Sequence, residues 1–64
     1  MKIDKMKMNI LMAKQGLNFT ELAKVSGVSR ATLSYINNGK NCRIDVVSKI
    51  ADALGVTIEE LINM

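Results

Sequence analysis

Four glycines divide this chain into short segments, and they constrain its fold more than any other sequence feature. Gly16, Gly27, Gly39 and Gly55 each follow an amphipathic segment. Glycine ends helices in the left-handed conformation at little steric cost. The chain has no proline, and its β-branched residues do not alternate with polar ones as they do in strands. These features predict an all-α fold.

Helix start signals lie just after these glycines. Four polar residues occupy candidate N-cap positions: Asn18, Ser29, Asp45 and Thr57. Asn18 and Thr57 are each followed three residues later by a glutamate, which is the spacing of a capping box. The predicted helices cover residues 4–15, 19–26, 30–38, 45–54 and 58–63. Their apolar residues recur at helical spacing and form the candidate core: Met8, Leu11, Met12, Leu22, Val25, Leu33, Ile36, Val46, Val47, Ile50, Leu54, Ile58, Leu61 and Ile62.

Length and composition exclude several classes of protein. A chain of 64 residues forms one domain, residues 1–64. One cysteine and no histidine leave no internal disulfide, no zinc ligand set and no imidazole base. We therefore expect neither an enzyme nor a protein that binds a metal, a cofactor or a small-molecule effector. No apolar run approaches the ~20 residues of a membrane span and no signal peptide is evident, so we expect no membrane partner and a cytoplasmic location.

Charge is distributed unevenly along the chain. Residues 1–43 carry eight basic and two acidic residues, whereas residues 44–64 carry one basic and four acidic residues. The first segment therefore has a net charge of +6 and the second a net charge of −3. Such a division gives the molecule one side that attracts phosphate and one that repels it. Lysines that merely solvate helix faces would give the same count.

Only Gly27, Val28 and Ser29 separate the second and third predicted helices. A three-residue connection that contains glycine makes two helices cross steeply, as in the helix-turn-helix unit. We expect Val28 to fill the angle between the helices. The helical period then places Tyr35 at the edge of the outward face of the third helix and four residues on that face: Arg30, Ala31, Ser34 and Asn38. Such a face suits the major groove of DNA, although it would also suit water.

Several short runs share the spacing of one family. They include Leu22-Ala23, Gly27-Val28-Ser29-Arg30, Thr32-Leu33-Ser34, Asn38-Gly39-Lys40, Lys49-Ile50-Ala51 and Ala53-Leu54-Gly55-Val56. In these runs the chain resembles the Cro and phage-repressor type of helix-turn-helix protein, often called the Xre family, over about residues 6–63. The resemblance implies a five-helix, lambda-repressor-like domain with the helix-turn-helix at the second and third helices.

The resemblance also implies roles for individual residues. The helix 30–38 is the recognition helix, and its positions that align with base contacts are Arg30, Ala31, Ser34 and Tyr35. The expected phosphate contacts are Thr20, Ser29, Asn38, Lys40 and Arg43. Family members commonly carry a phosphate-binding glutamine where this chain has Phe19, so we expect that contact from Thr20, from helix amides or not at all. Many relatives also pair an arginine with a glutamate where this chain has Met12 and Asn37, and we predict that Met12 packs in place of that ion pair.

Together these features predict a sequence-specific regulator of transcription that binds double-stranded DNA. A small repressor of phage or mobile-element type is the expected form, associated with the nucleoid when bound. We expect a homodimer on a palindromic operator, because one such domain makes few contacts. The predicted dimer surface is Ile58, Leu61, Ile62 and Met64, with Ile3 and Ile10 of the first helix as a second candidate.

Two further interpretations remain open. A protein-interaction module, such as an antitoxin or anti-repressor, could use the same fold, with the Met-rich first helix as an adaptable surface. Cys42 lies beside Lys40 and Arg43, and nearby cations lower the pKa of a thiol. A redox role for Cys42 is therefore conceivable, but an incidental loop cysteine is the simpler interpretation because the chain holds no resolving partner.

Overall fold

The computed structural model describes residues 1–62, and Asn63 and Met64 lie outside the described residues. Four α-helices and one short 3-10 helix follow one another along the chain: α1 Lys5–Gln15, α2 Phe19–Ser26, α3 Arg30–Asn37, α4 Ile44–Leu54 and the 3-10 helix Ile58–Glu60. The all-α fold is confirmed. None of these helices is long and apolar enough to cross a membrane.

Local sequence explains where the helices start. Asn18 and Glu21 form the predicted capping box of α2: the Asn18 side chain accepts from the Glu21 amide at 2.8 Å, and the Glu21 carboxylate accepts from the Asn18 amide at 3.1 Å. The Ser29 hydroxyl caps α3 by accepting from the Thr32 amide at 3.1 Å. Asp4 caps α1 through its side chain, although the predicted helix 4–15 included it.

The cap predicted for α4 is wrong. Helix α4 begins at Ile44, one residue earlier than predicted, so Arg43 occupies the N-cap position and makes no side-chain cap. Asp45 lies in the first turn of the helix instead. A carboxylate there still interacts favourably with the positive end of the helix dipole. Asp45 thus supports α4 through its charge rather than through a capping hydrogen bond.

The fifth helix is shorter than predicted and of a different type. It is a 3-10 helix that ends at Glu60, whereas the sequence pattern predicted a helix over 58–63. The Asp4 amide donates to the Leu61 carbonyl at 2.7 Å, and Ile62 pairs with Ile3 in an isolated antiparallel bridge. These contacts between the two ends of the chain take the backbone out of helical geometry after one turn.

One core connects all the helices. Its buried residues are Ile3, Met8, Met12, Leu22, Val28, Leu33, Ile36, Val47, Ile50, Ala51, Leu54 and Leu61. Val25 was predicted to belong to this core, and that prediction is wrong, since its side chain is 59% exposed. Helix α2 has eight residues and buries only Leu22 completely. Val25 lies near the end of α2, where the chain turns away at Gly27.

Gly27 is expected to resist replacement because of its backbone conformation. Its φ angle is +75°, and no atom lies within 4 Å of the position that a Cβ would take. The cost of Gly27→Ala is therefore backbone strain alone, about 1–2 kcal/mol of unfolding free energy. Gly27→Asn should cost less, because asparagine tolerates the left-handed region. Urea denaturation of both variants measures the difference, and equal losses would contradict this explanation.

Candidate nucleic-acid interface

The connection between α2 and α3 sets the position of the proposed recognition helix. Gly27 ends α2 in the left-handed conformation, and Ser29 caps α3 two residues later. Val28, between them, is buried in the core, as predicted. Leu33 and Ile36 are buried on the inner side of α3. One side of α3 is therefore held against the core while the opposite side faces solvent.

That solvent-facing side is formed by the predicted residues. The side chains of Arg30, Ala31, Ser34, Tyr35 and Asn38 are all exposed. We call these five residues the outer face of α3. It contains a guanidinium, a hydroxyl, an amide and a phenol, and the Tyr35 ring is 57% exposed. These groups can donate to and accept from the edges of base pairs, while Ala31 leaves room for close approach.

The start of α3 uses part of its hydrogen-bonding capacity internally. The Ser29 hydroxyl accepts from the Thr32 amide and donates to the Thr32 hydroxyl at 2.9 Å. A phosphate contact from the Ser29 hydroxyl therefore requires the loss of its bond to Thr32. The amides of the first turn have no intrahelical partners, so Arg30 and Ala31 offer N–H groups to an anion at this end.

The start of α2 presents a second set of donors. Thr20 is exposed, and its hydroxyl makes no hydrogen bond to another described residue. Phe19 is half-buried and packs against the core. The phenyl ring, at the position where the resemblance implies a glutamine, thus contributes packing. Thr20 and the amides of Phe19 and Thr20 are the polar groups at this end of α2 that the Asn18–Glu21 capping box does not engage.

The segment between α3 and α4 carries two cations. Lys40 and Arg43 are both exposed. The Arg43 Nε atom lies 3.6 Å from Asp45 Oδ1, and the Arg43 side chain is 87% exposed. Such exposed pairs contribute only about 0–1 kcal/mol. The ion pair therefore leaves the guanidinium free to exchange its carboxylate partner for a phosphate.

Cys42 lies in the same segment, and its thiol behaves differently from the expectation. Burial raises the pKa of the Cys42 thiol, and the N-terminal ammonium and a backbone hydrogen bond from Ile3 offset this only in part. The Cys42 amide donates to the Met1 carbonyl at 2.7 Å, which draws the N-terminal segment over this loop. The expectation that Lys40 and Arg43 lower this pKa is wrong. A protonated thiol is a poor nucleophile, so the structure disfavours the redox interpretation.

A side-chain contact between α1 and α3 was not predicted from the sequence. Asn9 of α1 donates to the Asn37 Oδ1 atom at 2.9 Å and to the Lys5 carbonyl at 2.7 Å. Met12 is buried, as predicted. A polar link one helical turn before Met12 thus joins the two helices, near the place where the resemblance implies an ion pair in other members. Two asparagines 28 positions apart give no local signal of this contact.

The predicted dimer surface is only partly a surface. Leu61 is fully buried in the core of its own chain, so its assignment to the dimer surface is wrong. Ile3 is also buried, before α1 begins, while Ile58 and Ile62 are half-buried against the core. Helical periodicity shows that these residues share one apolar stripe. It does not show whether that stripe is covered by the core of its own chain or by a second chain. Met64 lies outside the described residues.

Among residues 1–62, no group of three or more His, Cys, Asp or Glu side chains is placed to hold a metal ion. The exposed side chains assigned to the site, on α3 and in the segment after it, are hydrogen-bonding groups and cations together with Ala31.

Comparisons with known proteins agree with this geometry. The family described as Cro/C1-type HTH DNA-binding domain matches residues 7–64. A solved structure from Streptomyces albus, of HEPD with substrate 2-hydroxyethylphosphonate and Fe(II) bound, is similar with a TM-score of 0.78 and 26% sequence identity. That match covers 88% of this chain but only 13% of the Streptomyces chain. The same arrangement of helices thus occurs as a small part of a much longer protein.

Proposed function

The chain belongs to the Cro/C1-type HTH DNA-binding domain family, and from this premise we propose that it is a sequence-specific regulator of transcription. The observation that carries the proposal is the outer face of α3, which is exposed and polar while Leu33 and Ile36 anchor its inner side. In the proposed complex α3 lies in the major groove of double-stranded DNA.

Base recognition is assigned to the first two turns of α3. Arg30 can donate two hydrogen bonds to the O6 and N7 atoms of guanine, and such a pair contributes about 1–3 kcal/mol of discrimination. Ser34 and Tyr35, one turn later, can each donate to or accept from a base edge. Ala31 can contact a thymine methyl group. All four side chains are exposed, which supports this assignment.

Phosphate contacts are assigned to Asn38, the last residue of the outer face, and to residues on both sides of that face. Thr20 lies at the start of α2, and Lys40 and Arg43 follow α3; all are exposed. These contacts orient the protein on the duplex and supply affinity without sequence information. Ser29 contributes through its backbone amide, because its hydroxyl is committed to Thr32.

We further propose that the regulator is a homodimer and acts as a repressor of the phage or mobile-element type. An eight-residue recognition helix spans few base pairs, so tight binding calls for two copies on a palindromic operator. Their half-sites would lie about 34 Å apart, one turn of DNA. A dimer bound in this way excludes other proteins from the same DNA. We assign no catalytic activity to the chain.

Selection of bound sequences from a pool of random duplexes tests the proposal. Wild-type protein should enrich a symmetric site with half-sites one helical turn apart. Arg30→Ala should lose about 1–3 kcal/mol of binding free energy at one base position and accept any base there. Lys40→Ala should weaken binding to all sequences about equally, since it removes a phosphate contact.

Lys49→Ala is the matched control for Lys40→Ala. Lys49 is an exposed lysine of α4, and it has no role in the proposed interface. Its replacement should leave both the enriched site and the affinity unchanged. An unaltered base preference for Arg30→Ala would remove Arg30 from the recognition role, and failure of the wild type to enrich any sequence would contradict the function itself.

The alternative is a protein-interaction module such as an antitoxin or anti-repressor. The similarity to a small part of a longer Streptomyces albus chain supports it in one respect, because the same helix arrangement also occurs within a larger protein. The Met-rich surface of α1 supports it less than the sequence suggested, because Met8 and Met12 are core residues. Only Met6 of α1 remains as an exposed methionine.

A further inference from the structure

Two lysines without a role in the proposed complex lie beside the segment between α3 and α4. Lys2 precedes α1 and Lys5 is its first residue, and both side chains are exposed. We infer that Lys2 and Lys5 bind phosphates of the DNA duplex, in addition to the phosphate contacts already assigned. The inference rests on the proposed function, which brings the segment between α3 and α4 against the DNA backbone.

Backbone hydrogen bonds hold Lys2 beside Cys42 of that segment. The Cys42 amide donates to the Met1 carbonyl at 2.7 Å, and the Ile3 amide donates to the Cys42 thiol. Lys2 lies between these two contacts. Ile3 is buried and forms an antiparallel bridge with Ile62. Side chains alternate in such extended backbone, so the Lys2 side chain points away from the core. It therefore lies on the surface beside the two cations of the segment.

A side-chain contact fixes the position of Lys5. The Asn9 side chain donates to the Lys5 carbonyl at 2.7 Å and to the Asn37 Oδ1 atom at 2.9 Å. Lys5 and Asn9 are four residues apart and share one side of α1, which is the side that contacts the end of α3. The segment between α3 and α4 begins directly after Asn37. Lys5 thus lies near the start of this segment and Lys2 near its end.

Neither lysine is paired with a carboxylate in the described part of its own chain. The one ion pair formed among residues 1–62 joins Arg43 to Asp45. The Asp4 carboxylate, between the two lysines in sequence, accepts from two amides of the first turn as the cap of α1. Lys5 lies in that first turn, where the helix dipole disfavours a cation. Its charge therefore does not stabilise α1, and a phosphate would supply the partner that the chain does not.

The salt dependence of DNA binding tests the inference. Each phosphate contact contributes about 0.9 to the slope of log K against log salt. The double variant Lys2→Ala, Lys5→Ala should therefore reduce the slope by about 1.8 for every bound copy. Its base preference should not change, because phosphate contacts carry no sequence information. Fluorescence anisotropy of a labelled duplex of the selected site, at several salt concentrations, measures the slope.

Lys7→Ala is the matched control. Lys7 is an exposed lysine of the same helix, about 160° around α1 from Lys5, and it lines a groove with Glu60 of the 3-10 helix. Its replacement removes the same charge and should leave the slope unchanged. Arginine at both Lys2 and Lys5 should also preserve the slope, since the positive charges remain. A reduction in Lys7→Ala as large as that in the double variant would overturn the inference, because net charge would then explain the effect.

Uncharged methylphosphonate groups at single positions of the duplex test direct contact. At a phosphate bound by Lys2 or Lys5, the replacement should weaken wild-type binding about 5–10-fold. The same replacement should leave the binding of the double variant unchanged, because the contact is already lost. If no position behaves in this way while Lys40→Ala still reduces the slope, the inference is overturned and the proposed function stands. A wild type that binds no duplex contradicts both.

Discussion

Leu33→Ala is expected to remove most of the stability of the domain. Leu33 is fully buried on the inner side of α3. Truncation of a buried leucine costs about 2–5 kcal/mol, from lost apolar contact and the cavity that remains. A single core of this size rarely contributes more than about 3–5 kcal/mol in total. The variant should therefore be largely unfolded at room temperature. Urea denaturation followed by far-ultraviolet circular dichroism measures the loss.

Val25→Ala is the matched control. Val25 belongs to α2, on the other side of the same turn, and is 59% exposed. Its truncation should change the free energy of unfolding by less than about 0.5 kcal/mol. If Leu33→Ala cost less than about 1 kcal/mol, α3 would not be anchored as the structure shows, and its outer face would have no defined orientation.

DNA affinity is expected to fall steeply with salt. In the proposed complex each copy contacts phosphates with two cations, Lys40 and Arg43, so that a dimer neutralises about four phosphates, apart from the inferred contacts of Lys2 and Lys5. Binding through these four alone loses a factor of about 10² in affinity between about 50 and 200 mM salt, because counterions condensed on the DNA are released on binding. Fluorescence anisotropy of a labelled operator duplex, titrated at several salt concentrations, measures the slope.

Lys40→Ala provides the internal reference for that slope. Each phosphate contact contributes about 0.9 to the slope of log K against log salt, so the variant should reduce the slope by about that amount for every bound copy. Lys49→Ala should leave it unchanged. An affinity that hardly responds to salt would contradict DNA binding and favour the protein-interaction alternative, whose apolar contacts release no counterions.

Local features of the fold were predictable because they depend on neighbouring residues. The Asn18–Glu21 capping box and the Ser29 cap form as their spacing predicts. Gly27 and the other glycines adopt positive φ angles. The error in the fifth helix lies where a distant segment intervenes. The 3-10 helix stops early because its continuation meets Ile3, and no local pattern encodes that contact.

The candidate site likewise combines local features, which the sequence predicts, with contacts between distant segments, which it does not predict. The outer face of α3 follows from helical periodicity once Leu33 and Ile36 are taken as core, and the structure exposes the predicted residues. The link from Asn9 to Asn37 and the raised pKa of the Cys42 thiol were not predictable. Both depend on which residues of another segment are brought near, and sequence spacing carries no information about that.

The sequence by itself determined the all-α class, the turn at Gly27 and the side of α3 that faces outward. These properties follow from backbone sterics, capping and helical period, which act over a few residues. The sequence assigned Leu61 both to the core and to the dimer surface, and only the tertiary structure decided that it belongs to the core and that Ile10 remains on the surface. An apolar stripe has the same period whether it packs inside its own chain or against another. Which apolar residues become core is decided only by how all the helices pack around one interior.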